Sequence, residues 1–232
     1  MRASDLALTR GVRDMRATLE EWRRRPGRVL AEWTLLSVAV SCLLLYAVYV
    51  VAELTPPDPT PLLLYGIGRP GGAADVGLVL LRNSLVLALH ALACVAGFLA
   101  KSSLPEIAAS ASGLSGLMHR RAGPPAIAFV VCATTFSLAT QAYALGGAAS
   151  SIAAQLGIPV GVLLVALAPH AVPELVALFL PLAAWIVASR RGQWHQLLAA
   201  TFVTVAMAAP VLVVSALIEV FVTPRLLLTL AA

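Results

Sequence analysis

Apolar positions fall into five long blocks, near residues 34–52, 76–100, 126–145, 158–188 and 197–222, separated by polar or proline- and glycine-rich stretches. About 20 apolar residues cross a hydrocarbon core of roughly 30 Å as a helix rising 1.5 Å per residue. The pattern therefore predicts five membrane-spanning helices. Ahead of them, Leu8, Val12, Met15, Leu19 and Trp22 recur at intervals of four, three, four and three, one face of an amphipathic helix. Residues 1–33 are expected on the cytosolic membrane surface, with Arg23, Arg24 and Arg25 near anionic headgroups. A partner-binding helix is the alternative. The expected fold is all-α: a polytopic transmembrane helix bundle over residues 34–224, preceded by this interfacial segment and followed by a short extracytoplasmic tail, residues 225–232.

The first block is longer than a signal-peptide apolar region and has no small-residue cleavage pattern, which predicts an uncleaved anchor. Residues 53–75, containing TPPDPTP and GRPGG, read as an irregular extramembrane loop. Tyr65-Gly-Ile-Gly within it lacks the strand-to-helix setting of a phosphate loop and reads as a turn. The small-residue segment SSLPEIAASASGLSGLMHRRAG predicts a short cytosolic or interfacial helix, and GGAASSIAAQLG after the third block would permit close helix approach. The fourth block is 31 residues long and carries Pro159, Pro169, Pro173 and Pro181. A tilted, kinked helix and a broken helix with a re-entrant part are both open. On a continuous helix Pro169 and Pro173 would free the carbonyls of Val165 and Pro169, one turn apart.

Composition agrees with this class: 60% hydrophobic residues, 12% charged residues and a mean hydropathy of +0.91 exclude an ordinary soluble domain. The net charge of +5 does not imply nucleic acid, because the basic residues flank the apolar blocks. Fifteen of the sixteen are arginine, which suggests a GC-rich bacterial coding bias. With a cytosolic N-terminus, the inner segments hold thirteen basic residues: eight arginines, Lys101, Arg120, Arg121, Arg190 and Arg191. Only Arg69, Arg82 and Arg225 lie at the outer side. The asymmetry predicts a bacterial plasma-membrane protein, N-terminus inside and C-terminus outside. Cys42, Cys94 and Cys132 all fall inside apolar blocks and are expected to pack rather than to form disulfides or bind metal.

The candidate chemistry is intramembrane. LLVALAPHAVPEL places Pro169, His170, Pro173 and Glu174 in the fourth block, where an ionised side chain costs ~2.5–3.5 kcal/mol on insertion scales. His170 and Glu174, four apart, share a helix face and are expected to contact each other, as a neutral pair or an imidazolium–carboxylate pair. Their role is either to fix helix register or to form a proton, metal or substrate site. Arg82 and Glu219 lie at matching depths and are expected to pair across helices, with Asn83 adding hydrogen bonds. His90 and Gln141 are candidate helix contacts. His90, His170 and Glu174 have the composition of a three-ligand zinc site, but no HExxH pair and no second carboxylate base accompany them. The chain carries no Walker loop or nucleophile elbow. The expectation is a non-enzymatic protein with no metal or cofactor.

The proline-histidine pair, with a glutamate four residues after the histidine in the fourth of five spans, resembles the signature of the stage II sporulation protein M family of integral membrane proteins. In that family the second span opens with paired asparagines, the third closes with asparagine-glycine, and the last ends in a glutamate followed by aromatic and threonine-proline residues. The corresponding residues here are Arg82-Asn83, Gln141-Ala142, and IEVFVTP with Glu219, Phe221, Thr223 and Pro224. One asparagine, the asparagine-glycine and the glycine after the histidine, here Ala171, depart from the pattern. The resemblance covers roughly Leu35 to Pro224. It implies a multipass protein that, in endospore formers, works with cell-wall-degrading enzymes during engulfment; the wider family also occurs in bacteria without endospores. What carries over is a membrane scaffold or assembly component in envelope or developmental processes. Its expected partners are the lipid bilayer and other membrane or envelope proteins, with homo-oligomerisation open and no nucleic acid. The second reading is a transporter or channel subunit built around a broken fourth helix and a His-Glu site.

Overall fold

The computed structural model describes residues 3–24, 26–60, 69–100 and 113–232, with side chains for 11–24, 27–60, 69–100 and 127–232, and these described residues form seven α-helices and one 3₁₀ turn. The helices are α1 (Ala3–Arg24), α2 (Pro26–Leu54), α3 (Ala73–Phe98), α4 (Gly113–Leu156), α5 (Val160–Arg191), α6 (Leu197–Phe221) and α7 (Thr223–Ala231), with the 3₁₀ turn at Trp194–Gln196. Among the described residues five stretches are long and apolar enough to cross a membrane: Gly27–Leu54, Ala73–Phe98, Ile127–Leu156, Val160–Arg191 and Trp194–Ala231. The chain is thus an all-α protein of multipass membrane type. The Tyr65 turn and residues 101–112 of the small-residue segment lie outside the described residues, as do the side chains of Leu8, Lys101, His119, Arg120 and Arg121.

Several elements are longer than the apolar blocks suggest. α4 begins at Gly113 and runs through Gly146-Gly147 to Leu156, so the third span does not stop at 145. It ends at Gly157, whose φ of +66° suits a residue without a Cβ. Ile158 N–H donates to Ala153 O and Gly157 N–H to Ala154 O, a Schellman cap. Gly192 (φ +68°) ends α5 the same way, with Gln193 N–H on Ala188 O. Between these caps α5 is one unbroken helix despite Pro169, Pro173 and Pro181, so its length is met by a single long helix rather than a re-entrant break. It is also the most enclosed span. Of its most apolar 18-residue stretch 61% is buried, against 17–33% for the other four.

The chain divides into two compact units, Met1–Ser37 with Leu87–Thr134 and Phe179–Met207, and Val38–Val86 with Thr135–Leu178 and Ala208–Ala232. In the first unit, Cys94, Phe98, Trp185 and Leu197 form one buried cluster, and Trp33, Leu180, Ala183 and Ala200 another. Gly97 makes the first cluster fit: a Cβ there would lie 2.8 Å from Trp185 Nε1 and 2.9 Å from Leu197 Cδ1. Cys94 Sγ donates to the Pro181 carbonyl at 3.1 Å. Trp22 meets Trp33 edge to face at 5.0 Å, joining α1 to α2, and Arg191 pairs with Glu32 at 2.8 Å.

In the second unit, Ala52, Ala149, Ala153, Leu163 and Ala166 pack together. The helices meet closely at Gly146, where a Cβ would fall 2.5 Å from Val51 Cγ1 and 3.1 Å from the Val48 carbonyl. Polar contacts hold the connection after α2: Ser150 Oγ donates to Thr55 O at 2.6 Å, and Asp58 N–H to Ser151 Oγ at 3.0 Å. Asp75 opens α3, accepting from Gly72 N–H at 2.9 Å and pairing with Arg69.

Candidate functional site: an intramembrane polar cluster

The second unit gathers residues from four helices around the proline-histidine motif. α5 supplies His170 and Glu174, α3 supplies Arg82 and Asn83, α6 supplies Glu219, and Thr223 opens α7. A proline within a helix removes one N–H and crowds the carbonyl four residues back, so Pro169 and Pro173 leave the Val165 and Pro169 carbonyls without their intrahelical donors beside this cluster. The bulk of α5 stays helical because its neighbours enclose it.

His170 is buried, and its Nδ1 lies 2.8 Å from Thr223 Oγ1. Its hydrogen-bond partner thus comes from another helix, where a pairing with Glu174 one turn along α5 was the expectation. The threonine hydroxyl can donate to a neutral imidazole or accept from its N–H. Glu219 stands within electrostatic reach of both His170 and Glu174. Arg82 Nη2 lies 3.8 Å from Glu219 Oε1, an ion pair beyond direct hydrogen-bond distance. The arginine side chain is 64% exposed and its partner 14%, so the guanidinium sits at the rim and the carboxylate inside.

Asn83 is buried beside Glu174 rather than bracing the Arg82–Glu219 pair. Asn83 Nδ2 and Glu174 Oε2 are both buried, and the amide and carboxylate face each other without a well-formed hydrogen bond. A buried amide and carboxyl so loosely joined are uncommon, because each gives up water for a poor replacement.

The remaining expected residues lie elsewhere. His90 is fully buried in the first unit, edge-on to Phe179 at 5.3 Å, where α3 meets α5. Gln141 donates from Nε2 to Ser137 Oγ at 3.0 Å, one turn back on its own helix. Among the described residues no three His, Cys, Asp or Glu side chains come together as a metal site. Thr223 stands in the sequence only as part of the terminal IEVFVTP stretch; nothing local marks it as the histidine's partner, since 53 residues separate the two.

Outside the spans, the Asp58 carboxylate accepts from Thr60 N–H at 2.8 Å, and this bond together with the Thr60 hydroxyl holds its pKa below the ordinary aspartate value. No family model matches this chain, and no curated protein or solved structure is significantly similar to it. The resemblance to the stage II sporulation protein M family therefore rests on the motif residues alone.

Proposed function

We propose that this protein is a non-enzymatic membrane scaffold or assembly component of bacterial envelope or developmental processes, seated in the plasma membrane with its N-terminus inside and its C-terminus outside. The observation that carries this reading is the fastening of His170 to Thr223, a polar bond between helices that needs no reacting partner. The Arg82–Glu219 pair serves the same end at the rim. In this reading the motif holds the helices in register, while the loops and α1 recruit membrane or envelope proteins, as the family resemblance implies.

A transporter or channel subunit is the second reading. The poorly joined Asn83 Nδ2 and Glu174 Oε2 favour it, since a solute or water passing the cluster would complete the hydrogen bonding of both. The unbroken α5 removes the discontinuous helix on which transporter sites of the half-helix kind are built. The experiment is crosslinking in living cells, followed by mild solubilisation and identification of what copurifies with the wild type and with Glu174→Ala at matched expression. Envelope-remodelling enzymes or assembly proteins that are lost in the variant would support the scaffold. Recovery of an ATPase subunit, or of nothing, would move the weight to transport.

A further inference from the structure

We propose that the first unit holds a site for phosphoethanolamine, as a free solute or as the headgroup of a phospholipid, where the end of α1, the start of α2 and the end of α5 come together. Two adjoining cavities form it. The inner one encloses about 140 Å³ and is lined by Glu21 and Trp22 of α1, Glu32 and Trp33 of α2, and Gln193 and Gln196 just beyond α5. The outer one encloses about 240 Å³, shares Glu21, Trp22 and Val29 with the inner, and adds Arg24 and Arg28. All of these residues belong to the first unit.

The inner cavity has the chemistry of an ammonium site. Arg191 reaches into it but is engaged by Glu32, with Nη2 2.8 Å from Oε1. On α1, Glu20 is taken up by Arg23 at 2.9 Å, whereas Glu21 enters no ion pair among the described residues. A primary ammonium carries three N–H donors, and the carboxylate and the glutamine amide oxygens are acceptors for them. A trimethylammonium group has no N–H to give and is bound instead by aromatic faces set around it as a cage. Trp22 and Trp33 are not set that way: they meet edge to face at 5.0 Å with planes at 81°, so one ring covers a face of the other.

The outer cavity supplies the opposite charge. Arg24 follows Glu21 by three positions on α1, about 5–6 Å between Cβ atoms, which is the scale of an O–C–C–N linker. Arg28 stands close enough to act on the Glu32 carboxylate, and both arginines are exposed lining residues able to grip a phosphate. A zwitterion with its phosphate on the arginines and its ammonium beside Glu21 meets both signs at once. A purely anionic headgroup leaves Glu21 unmatched, and a simple amine leaves the arginines unmatched. With the N-terminus inside, the site lies at the inner membrane surface, within reach of lipid headgroups.

The test is native mass spectrometry of the full chain in mild detergent, supplied in turn with O-phosphoethanolamine and with phosphatidylethanolamine, phosphatidylcholine and phosphatidylglycerol of matched acyl chains. One phosphatidylethanolamine per chain is expected, retained in preference to the other two lipids. Competition by O-phosphoethanolamine would assign the site to the headgroup alone, and failure to compete would assign it to the membrane lipid. Glu21→Gln should weaken retention of phosphatidylethanolamine about tenfold and leave phosphatidylglycerol unchanged, whereas Arg24→Gln combined with Arg28→Gln should weaken both. The three side chains are exposed, so these variants keep the fold. Equal retention of phosphatidylethanolamine and phosphatidylcholine would overturn the proposal, as would retention indifferent to Glu21→Gln. Retention of none of the four compounds would overturn it too, leaving the cavities as solvated crevices.

Discussion

At the scale of single residues, the His170–Thr223 bond is the most exposed to test, because one hydroxyl holds a buried imidazole. Thr223→Val keeps the side-chain shape and removes the donor and acceptor. Leaving a buried polar atom unpaired costs about 1–3 kcal/mol in proteins, whereas polar contacts between membrane helices average only about 0.6 kcal/mol. A loss of about 1 kcal/mol, read as a lowered midpoint in denaturant unfolding from mixed micelles, is therefore expected, with Thr223→Ser restoring most of it. An unchanged midpoint would mean that the bond contributes nothing. The Arg82–Glu219 pair should be weaker, since 3.8 Å separates its charged atoms and the guanidinium is mostly exposed. A double-mutant cycle with both alanine variants should return a coupling below about 1 kcal/mol but above zero, and strict additivity would show that the charges act independently. The Asp58 turn has a pH signature. Its carboxyl is held below its ordinary value by Thr60, so its bonds stabilise the loop fully above the unfolded-chain pKa and weaken as pH falls through the lower folded one. Asp58→Asn should remove whatever part of the acid sensitivity, followed by proteolysis of the 53–60 connection, belongs to this turn.

At the scale of elements, two adjacent glycines in α4 separate helix propensity from packing. Glycine costs a helix about 1 kcal/mol relative to alanine, so a Gly→Ala change with room for a Cβ should stabilise. At Gly147 nothing lies within 4 Å of the added carbon, and Gly147→Ala should be neutral or stabilising. At Gly146 the carbon would meet Val51 at 2.5 Å and the Val48 backbone at 3.1 Å, so α2 and α4 must part. Overpacking of this kind costs about 1–3 kcal/mol, enough to reverse the propensity gain. Thermal unfolding of the two variants should shift in opposite directions, and equal shifts would show that the helices do not touch there. The same pair of residues explains where the chain was and was not legible. Five apolar blocks announced five membrane-length helices, because hydropathy over 20 residues is a strong signal. The glycine pair looked like a terminus, yet the helix passes through it, since small residues within a span serve helix approach as well as turns. The true ends are set by Gly157 and Gly192, where positive φ and the Schellman bonds coincide. The candidate cluster was legible in its membership, because charged residues within apolar blocks stand out. Its wiring was not: which atom of His170 meets which hydroxyl depends on helix rotation, and a lone apolar pattern leaves that undetermined.

At the scale of the whole molecule, the distribution of charge and the number of crossings make separable claims. The five membrane-length helices among the described residues are an odd number, and if each crosses once the two termini face opposite sides of the bilayer. The proposed orientation, with the N-terminus inside, sets thirteen basic residues on the inner side against three on the outer. Transfer of eight N-terminal arginines across the membrane is the step that an inverted orientation would demand. Single cysteines in a background with Cys42, Cys94 and Cys132 replaced would read both claims in right-side-out vesicles treated with an impermeant maleimide. Pro57→Cys, in the connection after the first span, and Ala232→Cys, at the C-terminus, should label without permeabilisation. Ala17→Cys, on the exposed side of α1, should label only after it. The reverse pattern would overturn the orientation and leave the five crossings intact. Labelling of Ala17→Cys and Ala232→Cys from the same side would overturn the odd number of crossings itself, and the first suspect would then be the 38-residue stretch Trp194–Ala231, which is long enough to turn at the Val222 break between α6 and α7 and return part of its length.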